Sequence, residues 1–376
     1  MRRLVDILED NHDRVMSRRA YLAEYFVYER TAKEQKRTEL TEEEKRQVDE
    51  FWIKNYGKKI TYKFHEVYKY DTGKFDPKYF PEHLLRPRLA HYINPRSFID
   101  VFEDKNTLPL LAERAHVRMP EIIIYNVNDI FYNNNHEIIT RDEALNILTG
   151  VDEAIVKPSI ESSGGKGISF VKNPNMDESR ELLDKYKRNF AIQKVVKNHK
   201  CLSDIHPDSV NTIRVVTYFF KGEICHCPVV LRMGVGDSRV DNATSGGVLT
   251  GINDDGTLLK YAINRYCTHA PIERHPDTNI KFEGYQIYNF DKVLASAKKM
   301  HSLLPQVGII DWDFSLDEDG EPILIEANIF NAGGVRMSQW VHGKGAFGDN
   351  TAEILQWLAK VEKMPKSLRQ KEKVHL

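Results

Sequence analysis

Residues 307–334, VGIIDWDFSLDEDGEPILIEANIFNAGG, carry acids inside what otherwise reads as two apolar strands. At the two-residue period of a strand, Ile310, Trp312, Phe314 and Leu316 share one side, and Asp311, Asp313 and Ser315 share the other. A two-residue turn at Asp319-Gly320 sets Phe314 against Ile325, Trp312 against Ala327, Asp313 against Glu326 and Asp311 against Asn328. Like charges directly opposite each other destabilise a sheet, so a cation is expected between Asp313 and Glu326. Converging carboxylate and amide oxygens suit a hard ion such as Mg2+, shared with phosphate oxygens. Asp313, Glu326 and Asn328 are the expected ligands. On this reading, neutralising Asp313 or Glu326 leaves stability unchanged or raises it. A solvated hairpin face is the plain alternative.

Other stretches have chemistry of the same kind. IVKPSIESSGGKGISFV, residues 155–171, places Lys157 at a strand end. The small-residue loop Ser162, Ser163, Gly164, Gly165, Lys166 and Gly167 follows, and its backbone can approach phosphates closely. It is not a Walker loop, because G-x-x-x-x-G-K-[ST] is absent, and an ordinary glycine-rich hairpin has the same composition. FAIQKVVKNHK, residues 190–200, is an apolar strand that breaks into a polar linker. The unpaired peptide groups of such a linker can hold a purine edge between two lobes. Asn211 and Arg214 open the strand NTIRVVTYF, and Arg232 lies at the end of PVVLRM. Arginine there suits bidentate phosphate or carboxylate contact, with an ion pair as the common alternative. DNATSGGVLTGI, residues 241–252, is a second Gly/Ser loop that closes over a ligand or merely turns.

These groups need elements to hold them. Residues 1–56 read as charged helices, with a capping box at Thr41–Glu44, and residues 57–100 are aromatic and broken by prolines. A helix and a strand flank Pro120, and strands dominate from residue 154, among them ICHCPVVLRM read as one. Helical patterns lie at 177–188, 288–303 and 350–362. That interleaving predicts an α+β architecture with mostly antiparallel sheets. The 376 residues suffice for two or three subdomains, and 41% hydrophobic with 29% charged content describes a globular chain. A net charge of −1 gives no general pull towards nucleic acid or anionic lipid. No apolar run suits a signal peptide or a membrane span, so a cytoplasmic protein with four reduced cysteines is expected. ICHCPVV lacks CxxC spacing, and no zinc site is expected there.

The order of these motifs resembles the ATP-grasp superfamily: strand-Lys-Pro, a Ser/Gly loop, a strand ending in a linker, then WDF and IEAN. NTIRVVT, the Gly-Gly loop of DNATSGG and QWVHGKGAFGDNTAEIL look specifically like the sugar-transfer-associated ATP-grasp family, over roughly residues 85–360. The resemblance implies an ATP-grasp fold of two α+β lobes gripping ATP. It divides the chain into a helical and irregular region 1–85, a pre-grasp α/β segment 86–150, a small lobe 151–204, a large lobe 205–362 and a basic tail 363–376. It implies that Lys157 holds the α- and β-phosphates and that Ser162 through Gly167 fold over the β- and γ-phosphates. Gln193, Lys194, Val195 and Val196 match the adenine linker, His199 stands near the ribose, and Asn211 joins the nucleotide site. Asp313, Glu326 and Asn328 match the Mg2+ positions. Asp311 stands where some relatives have a substrate-binding arginine, which leaves Arg214 and Arg232 to recognise a carboxylate.

The chemistry implied is carboxylate activation: ATP and Mg2+ generate an acyl phosphate, and an amine displaces phosphate. The expected partners are small-molecule carboxylates and amines, sugar acids or amino acids of polysaccharide building among them. Two other functions compete: a phosphotransferase that stops after phosphorylating a hydroxyl, and a nucleotide-binding scaffold for a glycosyltransferase system. Paired carboxylates also suggest a glycosidase, but the phosphate-binding pieces then have no purpose.

Overall fold

The computed structural model describes residues 36–160, 167–241, 246–264, 268–329 and 333–365, with scattered helical positions between 4 and 26. Helix α1 (Glu42–Tyr56) begins on the expected capping box, Thr41 and Glu44 each accepting from the other's backbone N–H, and ends at Gly57 with φ 77°. Helix α2 (Lys63–Thr72), a π-helical turn at Leu85–Ala90 and helix α3 (Leu108–Ala115) lead to the first sheet.

That sheet has the order β3-β2-β1-β6-β4-β5 and is antiparallel throughout. Its strands are β1 (Ile122–Val127), β2 (Ile130–Asn133), β3 (Ile138–Ile139), β4 (Glu153–Pro158), β5 (Ser169–Lys172) and β6 (Phe190–Lys194). Helices α4 (Arg141–Thr149) and α5 (Met176–Tyr186), both opened by capping boxes, cover one face. Their Leu145, Leu148, Leu182 and Leu183 pack on Ile124, Val156, Phe190 and Ile192. Alternation along β4 and β6 therefore turns Lys157, Ala191 and Gln193 to the opposite face. The sheet begins at Ile122, ahead of residue 151, because β1 lies between β2 and β6 in its middle.

The second sheet runs β12-β11-β10-β9-β7-β13-β14, with β8 paired to β7. It comprises β7 (Thr212–Phe220), β8 (Glu223–His226), β9 (Val229–Met233), β10 (Val248–Ile252), β11 (Leu258–Asn264), β12 (Thr268–Ile272), β13 (Ile309–Leu316) and β14 (Pro322–Asn328). ICHCPVVLRM is two strands, β8 and β9, because Pro228 cannot donate to a ladder. On one face, α6 (Phe290–Ser302) packs Val293, Ala297 and Met300 onto Ile213, Val215, Leu231, Ile310, Trp312 and Phe314. On the other, α1 and α8 (Thr351–Val361) cover Val216, Tyr218 and Ile309 with Trp52, Leu355 and Leu358. Further along that face Val230, Leu249 and Ile263 pack with Trp340, Phe64 and Tyr68, and Arg214, Arg232, Asp311 and Asp313 form a polar strip.

The β13–β14 hairpin keeps the expected pairs Asp311–Asn328, Trp312–Ala327 and Asp313–Glu326, but Phe314 pairs with Leu324 rather than Ile325. A register shift after Asp313 compensates for a turn one residue longer than expected, closed by Asp317 and Glu321 with Gly320 at φ 80°. Among the described residues no helix is long and apolar enough to cross a membrane, and Cys201, Cys225 and Cys227 are free thiols. Cys267 lies outside the described residues.

Candidate active site

The polar strip of the large sheet answers the charge problem of the hairpin with the chain's own arginines. Arg214 on β7 sits directly opposite Asp313 in the ladder. Its Nε and Nη2 donate to both oxygens of Asp313, Nη2 at 2.6 Å, and its Nη1 reaches Asp311 Oδ2 at 3.4 Å. From β9, Arg232 donates through Nη1 to Asp313 Oδ2 at 2.9 Å and through Nη2 to Asp241 Oδ1 at 3.0 Å. The Thr212 hydroxyl also donates to Asp241. All five charged side chains are buried. Burial pushes the Asp313 carboxyl up, but Arg214 and Arg232 outweigh it and hold the group at about 2. For Asp311 burial prevails over Arg214, and its carboxyl rises to about 6. Asp311 Oδ2 also accepts from Gly334 N at the start of α7 (Gly334–His342), while Oδ1 has no hydrogen-bond partner among the described residues.

This geometry reverses one expectation. Asp313 is the shared counter-charge of two buried guanidiniums, so neutralising it breaks an ion-pair network instead of relieving a repulsion. Glu326 is different, being half-buried and in no ion pair among the described residues. Asn328 Nδ2 lies 3.2 Å from Glu326 Oε1 and 3.5 Å from Asp313 Oδ2, so the three expected metal ligands do converge. Among the described residues no three His, Cys, Asp or Glu side chains gather as a metal cluster; the set is two carboxylates and an amide. A carboxylate has about four acceptor sites, and the arginines use three on Asp313. The remaining site, Glu326 and the oxygen of a turned Asn328 amide form an all-oxygen set that fits a hard divalent cation.

The small sheet faces this floor with cations. Lys157 is buried, with no ion-pair or hydrogen-bond partner for its ammonium among the described residues. Burial, reinforced by Lys105, pushes it down to about 8, and Glu326 pulls the other way from the opposite sheet. Lys105 reaches this position because its N–H bonds Ser159 O, just past the end of β4. It lies in the charged turn FEDKNT, which has no motif to mark it, and sequence reasoning missed it. Gln193 is 1% exposed, and neither its amide oxygen nor its nitrogen has a partner among the described residues. Beyond it the peptide groups of Val195 and Val196 have no hydrogen bonds among the described residues. Ser162, Ser163, Gly164, Gly165 and Lys166 lie outside the described residues. Gly167 has φ 76° and its carbonyl accepts from the Tyr186 hydroxyl, which also donates to Val156 O.

The small sheet thus presents a lysine and an amide without partners among the described residues, and the large sheet presents an acidic, arginine-braced strip whose Glu326 acts on Lys157. The sugar-transfer-associated ATP-grasp family matches residues 84–354, most of the chain. The chain belongs to that family. Its fold is accordingly the ATP-grasp fold.

Among solved structures it is similar to D-alanine–D-alanine ligase from Helicobacter pylori, with 17% identity, coverage of 71% of this chain and 59% of that one, and a TM-score of 0.40. L-amino acid ligase from Bacillus licheniformis gives 14%, 73%, 50% and 0.37 on the same measures. The ADP complex of N5-carboxyaminoimidazole ribonucleotide synthetase gives 14%, 61%, 45% and 0.36. The chain spans about half the length of these proteins. No curated protein matches it with significance.

The family's pattern also named residues to which this structure gives other tasks. The Asn211 amide accepts from Ser209 and Gly234 and donates to Leu202 O and His206 O, which exhausts its nitrogen within the chain. His199 Nδ1 accepts from Cys201 N, and the ring stacks on Tyr288 at 4.9 Å. Lys194 pairs with Glu121 at 2.7 Å. Arg214 and Arg232 face inward to three aspartates. Asp241 was quoted only as the first residue of a loop; nothing local in the sequence indicates that it holds Arg232.

Proposed function

We propose that the chain is an ATP- and Mg2+-dependent ligase that joins a carboxylate to an amine through an acyl phosphate. The observation that carries this reading is Lys157: a buried ammonium with no ion-pair partner among the described residues, pushed down by burial and by Lys105, with Glu326 of the other sheet pulling the opposite way. A buried cation without a partner is costly, and a polyphosphate is the anion that would compensate it. Lys157 and Lys105 bind the α- and β-phosphates. Gln193 and the peptide groups of Val195 and Val196 take the adenine edge, and Ser162 through Gly167 cover the terminal phosphates.

Asp313, Glu326 and Asn328 hold Mg2+, which when bound offsets charge on the phosphate oxygens. Arg214 and Arg232 fix the Asp313 carboxylate and keep it ionised. The substrate carboxylate oxygen attacks the γ-phosphorus and the bond to the β-phosphate oxygen breaks, releasing ADP. The amine nitrogen then attacks the acyl carbon, phosphate leaves with the acyl–oxygen bond pair, and the amine gives up a proton. The carboxylate is that of a sugar acid or an amino acid; the family's association with sugar transfer favours the sugar acid.

The test is a screen of sugar acids, amino acids and amines for ADP release with Mg2+, with free phosphate measured in parallel and products weighed by mass spectrometry. Amine-dependent ADP and phosphate in equal amounts support the ligase. ADP without free phosphate, and a product heavier by one phosphoryl group, identifies a phosphotransferase instead.

A further inference from the structure

One segment of the large lobe reaches the small sheet. After β9 the chain is pinned at Gly236, whose N–H donates to Asp277 at 2.7 Å and whose carbonyl accepts from the buried His206 at 2.9 Å. It is pinned again at Val240, which bridges Val210, and at Asp241, which takes Thr212 and Arg232. Between these anchors Arg239 leaves the large lobe altogether. Its guanidinium lies over the Phe170 ring at 3.8 Å and donates to Glu153 at 2.7 Å.

Both contacts belong to the β4–β5 pair, Phe170 standing opposite Ile155. Glu153, Ile155 and Lys157 alternate onto one face of β4, so Arg239 docks on the cleft face of the strand that presents Lys157, roughly 13 Å along it. Two residues after Arg239, Asp241 holds Arg232 against Asp313. A single short segment thus ties the strand of Lys157 to the floor of Asp313.

We propose that Arg239 is a positioning residue, a clasp between the lobes that sets the spacing of Lys157 from the Asp313–Glu326 floor. Its catalytic consequence rests on the nucleotide reading of the cleft; its structural consequence does not. The ion pair is half-exposed and contributes little alone. Stacking of the planar guanidinium on Phe170 gives it direction and rigidity, which a lysine cannot reproduce.

The experiment compares wild type with Arg239→Glu, Arg239→Lys, Glu153→Arg and the double exchange Arg239→Glu/Glu153→Arg. Small-angle scattering without ligand reads lobe spacing, and steady-state kinetics reads ATP KM and kcat. Arg239→Glu should enlarge the radius of gyration and raise ATP KM about three- to tenfold, with a smaller change in kcat. Arg239→Lys should lie between, and the double exchange should recover compactness and much of the KM. A compact Arg239→Glu variant would overturn the clasp, as would a double exchange no better than either single one. If wild type neither binds nor hydrolyses ATP, the nucleotide reading fails, while the scattering comparison still decides the clasp.

Discussion

The two walls of the cleft solve opposite electrostatic problems. On the large sheet, Asp313, Asp311 and Asp241 are buried but braced by Arg214 and Arg232, every link being a hydrogen-bonded ion pair within the chain. On the small sheet, Lys157 and the Gln193 amide are buried, and among the described residues Lys157 has no ion pair and the amide no hydrogen bond. The ion pairs of the braced wall are in place before any ligand arrives, and among the described residues only Asp311 Oδ1 and the open oxygens of Asp313, Glu326 and Asn328 are left over. The other wall is left unsatisfied, so its strain is relieved only by a ligand. Stability and binding should therefore separate between the walls, and mutation should show it.

The largest effect is expected at Asp313. Asp313→Asn leaves two buried guanidiniums short of their counter-charge, and should destabilise the ligand-free protein by about 3–5 kcal/mol in denaturant unfolding. An unchanged unfolding midpoint would place both arginines in contact with water. Lys157→Met should act in the opposite sense. The fall from 10.5 to about 8 corresponds to a buried-charge penalty on the order of 3 kcal/mol, so this variant should melt higher than wild type while losing nucleotide affinity.

The sign can be checked with pH. A depressed lysine contributes stability that is present above its unfolded value of 10.5 and lost as pH falls through about 8. The stability advantage of Lys157→Met should thus be full at pH 7 and shrink as pH rises from 8 to 10.5. Parallel pH curves for the two proteins would show that Lys157 is solvated.

Smaller effects refine the contrast. Gln193→Met removes a buried amide without partners and should raise ligand-free stability by roughly 1 kcal/mol while weakening nucleotide binding, as read by calorimetry. Glu326→Gln should change unfolding by less than about 0.5 kcal/mol, since no ion pair is broken, yet it should abolish most Mg2+-dependent ADP release. If Glu326→Gln unfolds the protein, the carboxylate is structural and the metal reading fails.

Legibility followed sequence distance. The hairpin pairs Asp313–Glu326 and Asp311–Asn328 were legible because alternation and a short turn act within a few residues. The single misplaced pair, Phe314 with Leu324, came from a bulge, a one-residue irregularity that leaves no mark in apolar alternation. The start of the helix at Glu42 was legible, because Thr41–Glu44 spells its own cap, whereas the helix at Arg141–Thr149 went unread although Thr140 and Glu143 cap it in the same way. Asn211 and His199 were placed by motif position alone, and the structure employs both as local braces.

The sequence by itself therefore determined most of the strands, the face on which the acids stand and the family pattern that links them, but not the helices at Lys63–Thr72, Arg141–Thr149 and Gly334–His342. Only the tertiary structure decided how each charge is answered. Arg214 meets Asp313 across 99 residues, Arg232 across 81, and Lys105 is brought beside Lys157 by a single backbone bond from its N–H to Ser159. The reason is physical. Periodicity and turn chemistry are set by neighbours along the chain, whereas a charge is neutralised by whichever partner the sheet order places opposite it, and that order is fixed by the burial of both sheets against their helices.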